Sequence, residues 1–307
     1  MKKSKPVKSS DKDYHEDLFM AGHSACSGCG AAIAMRHIAD TIGKNSIITI
    51  ATGCMEVIST SYPSTSWKIP CIHSAFENAA ATASGIEAAI KKQGKKVNVV
   101  AIAGDGGTFD IGLQALSGMI ERQQKILFIC YDNEAYENTG VQRSGATPKY
   151  SETTTTPFGK VEPGKTEWKK HLPQIIAAHN EKVYVATASI AYLGDFESKI
   201  KKALEFNGPS YIQVMTPCVP GWGIAENMTM DVAKMAVQTR IYPIYEIENG
   251  IVKLNIEVPA PKNINDYLKL QGRFRHMTEK EKKEVQEHAN AEYEKLKRLS
   301  DSKMKVF

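Results

Sequence analysis

The chain has 307 residues, of which 42% are hydrophobic and 24% charged, and its formal net charge is +5 at pH 7. This composition excludes global disorder, and no apolar run approaches the length of a transmembrane helix. Much of the basic excess lies at the two ends without a nucleic-acid motif, so we expect solvated termini and no nucleic-acid partner. The N-terminus lacks a secretory apolar stretch, which predicts a cytoplasmic protein without membrane contact.

Apolar patterning along the chain predicts strands that alternate with helices. The predicted buried strands cover residues 46–52, 97–103, 125–131, 183–190 and 211–215. The predicted helices cover residues 28–42, 76–92, 111–123, 166–179 and 194–206. This alternation predicts an α/β fold, a doubly wound and mostly parallel sheet with helices on both faces.

The rest of the chain flanks this domain. We expect an N-terminal arm at residues 1–20, the α/β domain at 21–225 and a partly helical C-terminal extension at 226–307. Residues 147–164 are rich in Thr, Pro and Gly, and we expect an ordered loop or a lid that contacts a partner. Helices with a charged face are predicted at residues 267–274 and 279–299, in a peripheral tail.

A glycine-rich turn follows the second predicted strand, where Asp105 stands among Gly104, Gly106 and Gly107. Glycines allow backbone amides to approach phosphate oxygens closely, and the start of the next helix favours an anion. A carboxylate at such a place requires a divalent cation between it and the phosphates, and Mg²⁺ prefers a few protein oxygens with phosphate and water. Asn133, at the end of the next strand, is the expected second ligand.

This Gly-Asp-Gly turn followed by an asparagine resembles the diphosphate–magnesium motif of thiamine-diphosphate enzymes. The resemblance implies that the side chains of Asp105 and Asn133 and the carbonyl of Ala135 bind Mg²⁺. It also implies that Gly104, Gly106 and Gly107 belong to the cofactor site.

Six cysteines in a chain expected to be cytoplasmic favour metal or redox chemistry over disulfides. Four of them, Cys26, Cys29, Cys54 and Cys218, lie in loops or at strand ends, where side chains can converge. By number and spacing they fit a 4Fe–4S cluster and a Cys₄ zinc site equally well. The thiamine motif favours the cluster, because oxidation one electron at a time needs a nearby acceptor and zinc is not one.

Longer motifs extend this similarity. The segments that carry it are residues 22–30, 51–56, 73–78, 104–112, 131–140, 145–148 and 270–275. Over about residues 20–275 the chain resembles the thiamine-diphosphate-binding β subunit of pyruvate:ferredoxin oxidoreductases, within the 2-oxoacid:ferredoxin oxidoreductase family. Two positions depart from the pattern of many members, since Ala31 replaces an acidic residue and Ser74 an asparagine.

The resemblance assigns roles to individual residues. It implies that Cys26, Cys29, Cys54 and Cys218 bind a 4Fe–4S cluster. Thr52 and Gly53 are implied to line the thiamine cofactor with Cys54, His73 to lie near it, and Asn138 to face the reacting centre as the catalytic residue. The cofactors implied are thiamine diphosphate, Mg²⁺ and the 4Fe–4S cluster.

The family also implies partners, because the chain has one diphosphate motif and no second α/β domain. An α subunit is expected to supply the pyrimidine-binding domain and the activating glutamate. Gamma and ferredoxin-like, cluster-carrying subunits would pass electrons to ferredoxin, and pyruvate and CoA would be the substrates. The alternatives are another 2-oxo acid (branched-chain, 2-oxoglutarate or oxalate), a non-oxidative decarboxylase with Cys₄ zinc, or a non-catalytic assembly subunit.

Four further residues have simpler interpretations. Cys130 lies mid-strand and is expected to be a buried inert thiol, and Cys71 is expected to pack in a loop. His23 either orients a cluster ligand or bonds to backbone, two alternatives that the sequence leaves open. His37, on a predicted helix, is expected at the surface or its boundary.

Overall fold

The computed structural model describes residues 17–180 and 182–305. Its centre is an eight-stranded sheet with the order β2-β1-β3-β4-β6-β5-β7-β8. The strands β1 to β6 are parallel to one another. At one edge, β7 is antiparallel to β5, and β8 is antiparallel to β7. The strands are β1 (Ser46–Ala51), β2 (Cys71–Ser74), β3 (Asn98–Gly104), β4 (Leu127–Asp132), β5 (Tyr184–Ser189), β6 (Ser210–Met215), β7 (Tyr245–Glu248) and β8 (Ile251–Leu254).

Helices cover both faces of this sheet. They are α1 (Gly30–Ile42), α2 (Cys54–Ser59), α3 (Ala79–Lys92), α4 (Leu113–Glu121), α5 (Leu172–Ala177), α6 (Leu193–Glu205), α7 (Val219–Trp222), α8 (Thr229–Gln238), α9 (Ile264–Leu268) and α10 (Glu279–Ser302). Buried residues of α1 and α6 pack with one side of the central strands, and those of α3, α4, α5 and α10 with the other. The predicted doubly wound, mostly parallel α/β sheet is therefore confirmed.

Two apolar layers explain why the central strands contain few polar residues. Along β3, for example, Val100 and Ile102 face the α1 and α6 side, whereas Ala101 and Ala103 face the α3 and α4 side. A parallel strand covered on both faces lacks the apolar–polar alternation of a half-exposed strand. The same burial aligns the carboxyl ends of β1, β3, β4 and β6, which are neighbours in the sheet.

Several short elements were not anticipated from the sequence. The strand β2 has four residues and is largely exposed, so it leaves no apolar run to detect. The strands β7 and β8 form a hairpin whose two-residue turn, Asn249-Gly250, has positive φ at both positions. Asn-Gly is the sequence that favours such a turn. This hairpin places residues from beyond 225 in the main sheet.

The C-terminal helix is an integral layer of the domain rather than a peripheral tail. One face of α10 is buried through Val285, Ala289, Tyr293 and Leu296. The Tyr293 hydroxyl accepts a hydrogen bond from the backbone N–H of Val258 at 2.6 Å. At the other end of the chain, the described part of the expected arm packs on the domain through buried Leu18 and Phe19, while residues 1–16 lie outside the described residues.

Within residues 17–180 and 182–305, every helix is too short or too polar to serve as a membrane span. The predicted helix at 166–179 is shorter in the structure, because residues 166–171 approach the carboxyl edge of the sheet before α5 begins. The predicted helix at 111–123 is α4, preceded by a π-helical turn at Gly106–Asp110.

The N-terminus of α10 offers a test of this packing. The Thr278 side chain and Glu281 form a reciprocal capping box. Replacing Thr278 with Ala should lower the free energy of unfolding by about 1 kcal/mol, because a backbone donor loses its acceptor. The urea midpoint should fall without a change in slope. The control Thr278→Ser keeps the hydroxyl, and an equal loss in both variants would contradict the capping role.

Candidate functional site

Four neighbouring strands, β2, β1, β3 and β4, end at one cavity of about 280 Å³. Part of its wall is the turn after β1 that leads into α2. Its lining residues are Thr52, Gly53, Cys54, Phe76, Gly104, Gly106, Gly107, Tyr131, Asn133, Ala135, Tyr136, Glu137, Asn138 and Thr139. The carboxyl ends of parallel strands are where open α/β sheets bind ligands. Most of the residues predicted for the cofactor therefore border one space.

Three oxygen atoms converge at the floor of this cavity. The side-chain oxygen of Asn133 lies 2.7 Å from Asp105 Oδ1 and 3.1 Å from the carbonyl oxygen of Ala135. Three acceptors without a donor repel one another unless a cation lies among them. A Mg²⁺ ion about 2.1 Å from each ligand would hold neighbouring oxygens about 2.9 Å apart. The predicted Asp105, Asn133 and Ala135 set thus has the donor chemistry and spacing of a magnesium site. Rotating the Asn133 amide would satisfy its hydrogen bonds but remove one of these oxygens.

Asp105 is fully buried beneath this cavity. Burial raises the pKa of its carboxyl well above the usual range, and the nearby Asp132 raises it further. The Ser144 hydroxyl donates to Asp105 Oδ2, and the backbone N–H of Ser144 donates to Thr147 Oγ1 at 2.9 Å. Thr147 in turn donates to the carbonyl oxygen of Glu134 at 2.6 Å. The start of the 147–164 loop therefore clamps the Asn133–Ala135 segment.

A buried charge network supports the same segment from below. Lys169 Nζ lies 2.6 Å from Asp132 Oδ2 and 2.9 Å from Glu134 Oε1. Arg273 Nη2 lies 2.6 Å from Glu134 Oε2, with both side chains almost fully buried. Burial acts to raise the pKa of Glu134, but Lys169 and Arg273 outweigh it and the pKa is lowered. Glu134 is therefore ionised and held by two cations.

Trp222 and Arg273 connect this segment to the region after Cys218. The Trp222 indole N–H donates to the Asn133 carbonyl oxygen at 2.7 Å. The Arg273 guanidinium lies over the Trp222 ring, 3.8 Å from its centroid. Helix α7, which carries Trp222, begins immediately after Cys218. A predicted cluster ligand and a predicted metal ligand are thus joined by one short helix and one hydrogen bond.

Two glycines are required by close contacts in the site. A Cβ at Gly106 would lie 2.5 Å from the Tyr136 ring. A Cβ at Gly221 would lie 1.9 Å from Oε2 of Glu137. The lack of a side chain at Gly106 leaves the backbone after Asp105 open to the cavity. The lack of a side chain at Gly221 allows the Glu137 carboxylate to approach α7.

The structure brings the four predicted cluster cysteines together. Cys26 and Cys29 lie in the turn before α1, and Gly30 donates to the Pro217 carbonyl at 3.3 Å, beside Cys218. Neighbouring thiols influence one another's pKa. Cys26 affects the pKa of Cys29, both of these thiols affect that of Cys54, and Cys54 affects that of Cys218. The four thiols therefore come from the turn before α1 and from the ends of β1 and β6, two strands that β3 and β4 separate in the sheet.

Burial is the main electrostatic influence on these thiols. It raises the pKa of Cys29, raises that of Cys54 to about 12, and raises that of Cys218 further. Thiolates at such sites require a cationic centre to compensate for lost solvation. In the part of the chain that the structure describes, no three His, Cys, Asp or Glu side chains lie close enough to share one metal ion. In a four-iron cluster each thiolate binds a different iron, so the donor set fits such a cluster.

Glu137 and Asn138 lie between the thiols and the cavity. Burial raises the pKa of the Glu137 carboxyl to about 7, and its oxygens lie beside Cys218. The Asn138 side chain is a hydrogen-bond partner of the Cys54 thiol and also borders the cavity. Asn138 is therefore placed where its predicted contact with the reacting centre is sterically available.

The remaining predicted residues have the following positions. His73 lies on β2 outside the cavity lining, but its ring contacts Thr52, which is part of that lining. His23 accepts a hydrogen bond from the backbone N–H of Ala25 at 3.4 Å. This contact corresponds to the second of the two alternatives for His23, a bond to backbone. Cys130 is fully buried, as expected.

Cys71 is part of β2 rather than a loop. His37 pairs with Glu197 at 2.7 Å on a partly exposed face of α1. Ser74 is buried and its carbonyl accepts from Thr52, while Ala31 lies buried in the first turn of α1.

Sequence reasoning missed the side chains that support the site, Lys169, Trp222, Arg273 and Glu137. Lys169 lies in the predicted helix at 166–179 and Glu137 in the family-like segment 131–140, and neither position gives a signal for its distant partner. Arg273 belongs to the family-like segment 270–275, to which the sequence assigns no role.

Comparison with known proteins identifies relatives over most of the chain. The family described as thiamine pyrophosphate enzyme, C-terminal TPP binding domain, matches residues 51–214. The pyruvate synthase subunit PorB of Methanocaldococcus jannaschii is 52% identical, over 89% of this chain and 94% of its own. PorB of Thermotoga maritima is 45% identical, over 91% of each chain.

Two further relatives are relevant. The ketoisovalerate oxidoreductase subunit VorB of Pyrococcus abyssi is 45% identical, over 93% of this chain and 94% of its own. A solved 2-oxoglutarate:ferredoxin oxidoreductase from Magnetococcus marinus has a TM-score of 0.56 at 20% identity, covering 74% of this chain and 82% of that one. This last similarity concerns the fold.

Arg273 provides a test of the supporting network. Replacing Arg273 with Met should lower the free energy of unfolding by about 3–5 kcal/mol, because Glu134 keeps a buried charge with one partner fewer. The matched control is Arg275→Met. Its guanidinium is 77% exposed and 3.6 Å from Glu152, a pair worth at most about 1 kcal/mol. Denaturant unfolding of both variants measures the difference, and equal losses would show that the Glu134 contact is not what matters.

Proposed function

Since this chain belongs to the family of thiamine-diphosphate-dependent 2-oxoacid:ferredoxin oxidoreductase subunits, we propose that it is the pyruvate-oxidising β subunit of such an enzyme. We infer that it binds Mg²⁺ and one 4Fe–4S cluster in addition to thiamine diphosphate. One observation carries the proposal. Asn133, Ala135 and Cys54 line the same cavity, and Asp105 Oδ1 lies 2.7 Å from the Asn133 side chain beneath it.

Mg²⁺ would be held by Asp105 Oδ1, Asn133 Oδ1 and the Ala135 carbonyl oxygen. The distances from the Asn133 side-chain oxygen to the other two atoms support this assignment. The backbone amides near Gly106 and Gly107 would bind the diphosphate, because the first turn of a helix leaves its N–H groups without intrahelical acceptors.

Thiamine diphosphate supplies, when bound, the carbon nucleophile that attacks the carbonyl of a 2-oxo acid. The protein contributes orientation and exclusion of water. Tyr131 and Phe76 form apolar walls of the cavity, and the Asn138 amide would hydrogen-bond the substrate at its mouth. Asn138 would act there as the catalytic residue, since it can contact both the substrate and the Cys54 thiol.

The four thiols would bind the cluster that accepts electrons first. Cys54 borders the cavity and Cys218 lies next to Glu137, which also borders it. Electron transfer from cavity to cluster would therefore cross very little protein.

The chain is part of a multi-subunit enzyme, as the subunit names of its relatives indicate. We propose that an α subunit completes the site with the pyrimidine-binding domain and activating glutamate. We further propose that gamma and ferredoxin-like subunits pass electrons to ferredoxin, and that CoA accepts the acyl group. The exposed mouth of the cavity, at Asn138 and Thr139, supports a site completed by another chain.

Pyruvate is the proposed substrate because the pyruvate synthase subunits reach 52% identity, whereas the ketoisovalerate subunit reaches 45%. In a panel of 2-oxo acids, the purified complex should show a kcat/KM for pyruvate at least about tenfold above that for 2-oxoisovalerate, because one pocket distinguishes added methyl groups by this order. CoA-dependent reduction of ferredoxin is the measurement. A higher value for 2-oxoisovalerate or 2-oxoglutarate would assign the enzyme to that substrate instead.

Replacing Asp105 with Ala should abolish Mg²⁺-dependent binding of thiamine diphosphate, because one of three oxygen ligands is lost. Iron and sulfide content should remain at the wild-type level. Calorimetry and metal analysis of the anaerobically purified complex measure both. The reciprocal control is Cys218→Ser, which should lose iron but retain thiamine diphosphate. Unchanged cofactor affinity in the Asp105 variant would refute the magnesium assignment, and a colourless zinc-containing wild type would refute the cluster.

A further inference from the structure

A chain of hydrogen-bonding groups forms one wall of the cavity. Thr52 follows β1 and lines the cavity, and His73 lies on the neighbouring strand β2. Parallel pairing places His73 beside Ile50 and Ser74 beside Ala51. The register therefore fixes the imidazole next to the Thr52 hydroxyl, and Thr52 Oγ1 lies 2.7 Å from His73 Nε2.

The other ring nitrogen faces a carboxylate. His73 Nδ1 lies 3.5 Å from Glu56 Oε1. Glu56 is held in place by Thr60, whose hydroxyl lies 2.7 Å from the same carboxylate oxygen and 2.8 Å from the Glu56 carbonyl. The Glu56 side chain is 13% exposed, so its position is set by the protein rather than by solvent. Carboxylate, imidazole and hydroxyl thus follow one another towards the cavity.

The Thr52 hydroxyl has two acceptors within reach. It can donate to His73 Nε2 at 2.7 Å or to the Ser74 carbonyl oxygen at 3.2 Å. A hydroxyl that can change its acceptor can receive one proton and pass on another. The imidazole at the next position is 48% exposed, whereas the hydroxyl borders the cavity. The three side chains therefore connect the interior of the site with solvent.

The proposed reaction needs such a connection. A 2-oxo acid and a thiol give a thioester and CO₂, two electrons leave to the iron–sulfur acceptors, and one proton, formerly on the thiol sulfur, is released. Each turnover consequently leaves one proton in a cavity with mostly apolar walls. An isolated charge there is costly, so the proton has to be conducted away.

We propose that Thr52, His73 and Glu56 form the exit for this proton, an inference that rests on the proposed thioester-forming function. The proton reaches Thr52 Oγ1 while the hydroxyl passes its own proton to Nε2 of His73. Glu56 Oε1 faces Nδ1 at 3.5 Å and orients the ring. His73 then releases a proton to water. Thr52 borders the reacting groups, and His73 and Glu56 are positioning and relay residues.

The test uses the assembled, cofactor-loaded enzyme with His73→Ala. The kcat should fall about 100-fold, the lower end of the range for a positioned acid–base group. The KM for the 2-oxo acid, the affinity for thiamine diphosphate and the cluster absorbance should change less than twofold. Added imidazole should restore part of kcat, and the effect of D₂O on kcat should increase because proton exit becomes limiting. Glu56→Gln should lower kcat less than His73→Ala.

The matched control is His37→Ala. It removes a partly exposed histidine of α1 that pairs with Glu197 of α6, and it should leave kcat unchanged. A His73→Ala kcat within twofold of wild type would overturn the relay. The relay would also be overturned if the loss of kcat accompanied weakened cofactor binding and added imidazole did not restore it. That result would indicate a structural role for His73. A wild-type complex that forms no thioester would overturn both the proposed function and the relay, whereas an active complex indifferent to His73 overturns the relay alone.

Discussion

The imbalance of buried charge at the carboxyl edge of the sheet is the constraint on which the rest of the site depends. Asp105, Asp132 and Glu134 are buried, and two cations face them, the buried Arg273 and the partly buried Lys169. Asp132 and Glu134 form ion pairs with these cations, whereas Asp105 accepts a hydrogen bond from the Ser144 hydroxyl. An unpaired carboxylate at this depth is unstable in its charged form. A cation among the Asp105, Asn133 and Ala135 oxygens would remove that cost, so cofactor binding and the stability of this edge are linked.

This constraint explains why the C-terminal part of the chain belongs to the site. Trp222 and Arg273 come from beyond β6, yet they hold the carbonyl of Asn133 and the carboxylate of Glu134. Gly272 donates to the Gly223 carbonyl at 3.1 Å, so the two supporting segments also hold each other. The division of the chain at residue 225 stays a prediction about chain organisation. Physically, the proposed metal-binding segment is completed by residues on both sides of that boundary.

The same edge accommodates two different chemistries because adjacent strands end side by side. The oxygen ligands follow β3 and β4, while the thiols follow β1 and β6 or precede α1. Asn138 and Glu137 line the cavity beside the thiols of Cys54 and Cys218. Closeness of this kind suits a reaction in which electrons leave a bound cofactor one at a time, and it leaves the β2 side of the cavity available for proton transfer.

The sequence by itself determined what local order can encode. The buried strands, the glycine turn around Asp105, Asn133 at the next strand end and four cysteines in loops all have signals within a few residues. The short strands β2, β7 and β8 were not predicted, because four residues are too few to show a period. The partnerships that support the site were decided by tertiary structure alone. Lys169 and Asp132 are 37 positions apart, Trp222 and Asn133 are 89, and Arg273 and Glu134 are 139. Such contacts arise from the order of strands in the sheet, and nothing in the local pattern around a lysine or an arginine specifies which distant carboxylate it will neutralise.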